Sequence, residues 1–152
     1  MNYSYKGKIL ISTPDISGDI FSRSVVIIVD HNHEGAFGLI LNKKNKNMSE
    51  RLHAIFGFAV DVYEGGPVEN DKIFFISKGK KITENFSEIS EEFYLTEDIE
   101  SVVTGMIEEQ ISVDEIKVFS GYSGWASKQL ESEVQRKMWT VVEVYNLDYT
   151  LP

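Results

Sequence analysis

Gly121-Tyr122-Ser123-Gly124-Trp125, followed by Gln129-Leu130-Glu131, Glu133 and Trp139, is the stretch on which the fold of this 152-residue chain turns. Glycines at 121 and 124 permit a tight turn or the close approach of another backbone, which a Cβ would hinder. Behind them Ala126, Leu130, Val134 and Met138 recur every four residues, so a glycine-bearing loop is expected to feed an amphipathic helix over 126–137. A strand over 115–120 leads into that loop, and a final strand near 139–144 follows the helix.

Upstream, residues 8–13 read as a strand stopped by Pro14. Residues 24–31 form a longer one, whose unbroken Val25-Val26-Ile27-Ile28-Val29 run implies cover on both faces. Turn residues at 32–35 and a strand at 36–42 complete a β-hairpin with a turn longer than two residues. A short helix is expected over 48–56, with Leu52, Ile55 and Phe56 inward and Gly57 ending it. Strands at 60–63 and 73–77 flank Gly65-Gly66-Pro67, and 93–95 reads as a short edge strand. The clearest helix is 97–110: Ile99, Val102, Val103, Met106 and Ile107 complete an apolar stripe, with Thr96 as its cap. Gly105 within it costs about 1 kcal/mol relative to alanine, which marks close packing or simple tolerance. No regular βαβ alternation is visible. The expected fold is therefore α+β, a mixed and largely antiparallel sheet with a few packed helices, in one domain spanning 1–152.

Charge and composition narrow the function classes. Net charge is −9 and unevenly spread: residues 1–81 carry +2 and residues 82–152 carry −11. An acidic surface repels phosphate backbones, and no helix carries a row of Lys or Arg suited to a groove, so nucleic-acid binding is disfavoured. The basic loops at Lys43, Lys44 and Lys46 and at Lys78, Lys80 and Lys81 read as solvated hairpin tips, the alternative being a cationic patch if the two are neighbours in space. With no cysteine, disulfides, thiolate catalysis and cysteine-based zinc sites are excluded. The longest aliphatic run has five residues, against about 20 for a spanning helix, and Ile9-Leu10-Ile11 is too short for a signal-peptide core. A cytoplasmic protein that does not span the membrane is expected.

Several residues invite a chemical reading, each weighed against a structural one. Gly121-Tyr122-Ser123-Gly124 resembles a nucleophile elbow, but the second glycine arrives one residue early and nothing ties Ser123 to His31, His33 or His53. No catalytic residue is assigned. His31 and His33, at i and i+2, would face the same side of a strand as a metal pair requires, yet a third ligand is missing; no metal or cofactor is assigned. Gly65-Gly66 can aim N–H groups at an anion but lacks a phosphate-loop pattern, and a tight turn explains it more simply. Arg23 can bind a carboxylate or phosphate, or pair with Asp19 or Asp30. Asn42, Tyr122 and Gln129 are polar within apolar motifs. They are expected to join the hairpin to the Gly121 loop through hydrogen bonds, the alternative being a ligand pocket. Arg23, Asn42, Gly65, Gly66, Tyr122 and Gln129 are accordingly the candidate ligand-binding residues.

Four segments, in order, resemble the YqgE/AlgH family of bacterial proteins. They are residues 7–14 with Phe21-Ser22-Arg23-Ser24-Val25-Val26; His31 with Gly35-Ala36-Phe37-Gly38-Leu39-Ile40-Leu41-Asn42; Gly65-Gly66-Pro67-Val68; and the opening stretch through Trp139. The chain departs from the family in placing Lys43-Lys44 after Asn42 where Lys-Pro is usual, and Ser123 where alanine is usual. The second departure makes Ser123 a poor nucleophile. The resemblance implies a small α+β protein without an agreed activity and an association with gene regulation. It also implies that His31, Gly35, Gly38, Pro67, Gly121, Gly124, Trp125 and Trp139 are structural. The leading expectation is a non-enzymatic interaction or regulatory protein with a protein partner. The alternatives are a small-molecule-binding protein or enzyme, with a cleft between 65–68 and 121–129, and a DNA-binding regulator, which the charge opposes.

Overall fold

The computed structural model describes residues 4–14, 21–79, 81, 83–90 and 92–143. In chain order the elements are β1 (Ile9–Ser12), β2 (Val25–Asn32), β3 (Gly35–Ile40), α1 (Lys46–Phe56), β4 (Val62–Glu64), β5 (Val68–Lys78), β6 (Ser87–Glu88), β7 (Phe93–Thr96), α2 (Ile99–Ile107), β8 (Ile116–Ala126), α3 (Gln129–Gln135) and β9 (Trp139–Val142). The strands form one curled sheet in the order β6-β7-β5-β8-β3-β2-β1-β9, with β4 added alongside β8. Every pairing is antiparallel except β4 with β8, as expected of an α+β fold. Among the described residues no helix is long and apolar enough to cross a membrane.

Apolar residues fill three layers. Ile27, Val29, Leu39, Phe74, Ile76 and Phe119 meet on the inner face of the curl. On the outside, α1 and α2 cover Val62, Phe75 and Val118. Leu130 of α3, with Trp125 and Trp139, covers Leu10, Val26, Ile28 and Ile40. Alternate residues of the Val25–Val29 run thus serve two cores, which is the double cover its continuity implies.

The largest departure from the sequence reading is at residues 121–125, which are strand rather than loop. β8 runs unbroken through them and changes partner as it goes. Its first half pairs with β5 and β4, and Ser123 to Ala126 pair with β3. The change falls between Tyr122, which still pairs with Val68 of β5, and Ser123, just after Gly121, whose φ of +72° lies in the left-handed region open to glycine. There Gly65–Gly66 crosses β8 with backbone against backbone. Gly65 N–H donates to Ser120 O (2.8 Å), and Gly65 O accepts from Ile40 N–H (2.9 Å) and Ser123 Oγ–H (3.0 Å). A Cβ on Gly65 would lie 2.4 Å from Gly121 O, and one on Gly66 would lie 2.2 Å from Tyr122 C and O. The helix then starts at Gln129, three residues later than periodicity places it.

Smaller departures have local causes. Asn32 pairs with Gly35, so the first hairpin closes on His33 and Glu34, a two-residue loop rather than a longer one. The buried line of α1 follows Met48, Leu52 and Phe56, which leaves Ile55 at its edge, 61% exposed. In α2 the line is Val102, Gly105 and Met106. Ile111 packs into the notch at Gly105, where a Cβ would sit 2.4 Å from its Cδ1, and Ile107 turns outward, 72% exposed. Close packing therefore explains Gly105. Asp98 caps α2 in place of Thr96, whose hydroxyl instead accepts from Asp98 N–H. Hydrogen bonds from the Ser101 hydroxyl and amide, and from Asn85, hold the Asp98 carboxyl below its ordinary range. β7 is flanked by β5 and β6, so β6 is the outer strand there. β5 begins at Val68, earlier than read, with an irregularity before Ile73. β9 ends at Val142; Val144, like Asp19 and Lys80, lies outside the described residues.

Gly66→Ala drives a Cβ into backbone, whereas Gly57→Ala, at φ +81° with open space around it, only strains a helix cap. Gly57→Ala is expected to lower the thermal midpoint by about 2–6 °C, the effect of about 1–2 kcal/mol. Gly66→Ala is expected to lower it by more than about 8 °C or to prevent folding, because backbone cannot yield as a side chain can. Circular-dichroism melting compares the two.

Candidate functional site

The second half of the opening motif converges on one carboxylate. Glu133, one turn into α3, accepts from the indole N–H of Trp125 and of Trp139 through the same oxygen, both at 2.9 Å. Its other oxygen accepts from Gln129 Nε2 (2.9 Å), and Gln129 Oε1 accepts from Ala126 N–H (2.9 Å). The two indoles meet edge-on at 6.2 Å, and Phe21 packs on both. Trp125 and Trp139 are 7% and 4% exposed. Glu133 therefore ties α3 to both indoles, and Gln129 ties the start of α3 to Ala126 at the end of β8. Gly35 belongs to the same assembly: a Cβ there would lie 2.2 Å from Trp125 O.

Arg23 and Asn42 meet elsewhere, at the entrance of β2. Arg23 has φ +53°, an uncommon conformation for a residue with a side chain. Asn42 clamps it by donating to Arg23 O (2.9 Å) and accepting from Val25 N–H (3.0 Å). The Arg23 side chain is exposed. Lys43 Nζ donates to Ser22 O (2.7 Å), while Lys44 reaches Asp61 at 3.5 Å.

His31 is buried and His33 exposed at the hairpin tip. His31 Nδ1 accepts from Tyr5 N–H (2.8 Å), which places the imidazole proton on Nε2, 3.3 Å from Glu131 Oε1. Tyr5 stacks on the imidazole at 5.4 Å. This pairing ties the segment before β1 to α3. Gly38 packs against β2, where a Cβ would lie 2.9 Å from Ile27 O; Pro67 and Gly124 are exposed.

Of the six candidate ligand-binding residues, Tyr122 lines an open pocket. One end of the curl forms a cavity of about 530 Å³. Phe37, Phe74 and Tyr122 build its aromatic wall, with Phe37 and Tyr122 stacked at 4.7 Å and Phe74 edge-on to both. At the rim Lys72 Nζ lies 3.1 Å from Glu97 and 3.9 Å from Glu69. The hydrogen bond from Lys72 to Glu97 and the charge of Glu97 raise the lysine above its ordinary pKa, with a smaller contribution from Glu69.

The structure thus sorts the candidates into three places: Gly65, Gly66 and Tyr122 at the crossing, Arg23 and Asn42 at the β2 entrance, and Gln129 under the tryptophans. Among the described residues, Asn42, Tyr122 and Gln129 do not share one hydrogen-bond network. Glu133, Phe37, Lys72 and Asp30 are not among the six candidate ligand-binding residues, although Glu133 and Phe37 fall within the family-like segments and Asp30 is one of the acids considered for Arg23. Glu133 falls at i+4 from Gln129 and six residues before Trp139, a spacing that carries the signal for its role. The others come together only through strand pairing. Buried Lys117, 4.0 Å above the Tyr63 ring, does carry a local signal, as a lysine inside an apolar strand. Glu133→Ala leaves two indole N–H groups without their acceptor and is expected to cost about 2–5 kcal/mol. Gln129→Ala, at an exposed position, is expected to cost about 1 kcal/mol or less. Urea unfolding followed by tryptophan fluorescence measures both.

The chain matches the AlgH-like family model over residues 9–150. It is 35% identical over 145 residues to a UPF0301 protein of Cytophaga hutchinsonii, covering 94% of this chain and 80% of that one. It is 36% identical over 140 residues to a UPF0301 protein of Chlamydia muridarum, covering 88% and 72%. Among solved structures, the solution structure of the AlgH protein from Pseudomonas aeruginosa superposes with a TM-score of 0.77 at 24% identity, over 100% of this chain and 84% of that one. The crystal structure of protein DIP2367 from Corynebacterium diphtheriae gives 0.71 at 20% identity, over 93% and 77%. These structures share the fold. With the family model spanning nearly all of it, the chain belongs to the AlgH-like family.

Proposed function

We propose that this protein is a non-enzymatic, cytoplasmic interaction protein with a regulatory role, and that it binds a basic protein partner through the outer face of α2. The observation that carries this is Ile107, 72% exposed on a helix whose buried line lies elsewhere. Glu100 and Thr104 stand on its side of the helix at i−7 and i−3, and Glu108 and Glu109 follow it. An exposed apolar residue among carboxylates suits a partner that presents an apolar side chain flanked by Lys or Arg. The net −11 of residues 82–152 steers such a partner toward this half of the molecule and repels nucleic acid.

This reading is supported by the contacts of four of the candidate ligand-binding residues: Asn42, Gly65, Gly66 and Gln129 all bond or pack against backbone. The test is Glu100→Lys with Glu108→Lys, both at exposed positions where substitution changes stability by about 0.5 kcal/mol or less. Saturable, salt-sensitive capture of a partner from lysate is expected for the parent protein and is expected to be lost in the double variant with its melting unchanged. Equal capture by both proteins, or capture insensitive to salt, contradicts the assignment.

A further inference from the structure

The open end of the curled sheet is a built concavity that the proposed partner surface does not use. Its lining is drawn in turn from β2, β3, β8, β5, β7 and β6, with Lys6 contributed by the segment before β1. It is therefore the mouth of the curl rather than a crevice between two side chains. Mouths of closed or curled sheets are a preferred place for small-molecule sites, and about 530 Å³ falls within the usual range for such ligands.

Chemistry narrows the ligand. Half-buried Phe37 and Tyr122, with buried Phe74 below them, give a wall that accepts a flat apolar body. The faces of such rings attract cations. At the rim, Lys72 is held by Glu97 and Glu69. Asp30 and Glu88 also line the mouth, and among the described residues neither carboxylate is ion-paired. One Asp30 oxygen accepts from His31 N–H (2.9 Å), which fixes the carboxylate at the end of β2. Among the described residues Lys6 and Lys72 are the lining cations, against Asp30, Glu88 and Glu97, so the described rim carries a net negative charge.

We infer that this mouth binds a small organic amine with an aromatic or flat apolar body. The ring lies against Phe37 and Tyr122, and the ammonium group is held between Asp30 and Glu88. An aryl carboxylate meets the same wall but the wrong rim charge, and an alkylamine meets the right rim without the wall. Binding is noncovalent, and no proton or group transfer is invoked.

The probes are phenethylamine, phenylacetate and butylamine, titrated into ¹⁵N-labelled full chain and followed by amide chemical shifts at constant pH and ionic strength. Phenethylamine is expected to shift the amides of Asp30, Phe37 and Tyr122 saturably, in the millimolar range of a fragment-sized ligand. The other two are expected to bind at least about fivefold more weakly. Asp30→Asn with Glu88→Gln, isosteric changes at exposed positions, is expected to weaken phenethylamine by about fivefold or more while leaving the remaining amide spectrum unchanged. Tyr122→Ala weakens it through loss of the wall. If its fold is disturbed, the acid variant still decides. The inference is overturned if phenethylamine produces no saturable shifts at these amides, if phenylacetate binds as tightly, or if the acid variant binds phenethylamine like the parent. These variants leave Glu100 and Glu108 intact, so a failed titration leaves the α2 surface untouched.

Discussion

Everything in this fold depends on one backbone crossing. Where Gly65–Gly66 passes over Gly121–Tyr122, two chain segments approach closer than any side chain would allow. The contact ties β8 to β3 through the single residue Gly65, whose N–H reaches Ser120 of β8 and whose carbonyl serves Ile40 of β3 and Ser123 of β8. It also lets β8 change partners without breaking, so that the β5-β7-β6 side and the β3-β2-β1-β9 side become one sheet. A side chain at any of these three glycines would run into backbone at the junction of the two sides of the sheet. Buried Ser123 takes its place as a brace: its hydroxyl donates to the same carbonyl, which a nucleophile facing substrate would not do.

The second brace is electrostatic. A single carboxylate, Glu133, holds two indoles and Gln129, so α3 is fastened at both ends to the outer face of the sheet. Hydrogen bonds to an ionised acceptor are roughly twice as strong as neutral ones, and here the two from the indoles are partly buried while the one from Gln129 is exposed. His31 and Glu131 add a further link between α3 and the sheet, with Tyr5 stacked on top. The residues that look most chemical in this chain are largely occupied in joining its elements. The proposed partner surface is the acid-flanked face of α2, and the proposed ligand site is the mouth of the curl.

How much of this the sequence discloses depends on the range of the interaction. Local periodicity is enough for β1, β2, α1 and α2, because their buried faces follow spacings of two and four residues. It misplaces Ile55 and Ile107, since the exact buried line depends on what packs opposite, such as Ile111 against Gly105. Residues 121–125 look like a loop because glycine usually breaks regular structure. Here the left-handed Gly121 bends a strand whose partners on both sides keep it extended. Trp125 and Trp139 are legible as anchors from their type alone, whereas the mouth is not. Val29, Phe37, Phe74 and Leu95 come together there through pairings between strands distant in sequence, and no short motif encodes that arrangement.

Native-state hydrogen exchange at the crossing tests the central claim most directly. The amides of Gly65 and Ile40, which donate to Ser120 O and Gly65 O, are the informative probes. If the crossing holds the two sides of the sheet together, both should exchange only through global unfolding, with an opening free energy within about 1 kcal/mol of the value from denaturant. Exchange of these amides at rates typical of exposed loops, while the centres of β2 and β8 stay protected, would show that the sheet holds without the crossing and would contradict the claim.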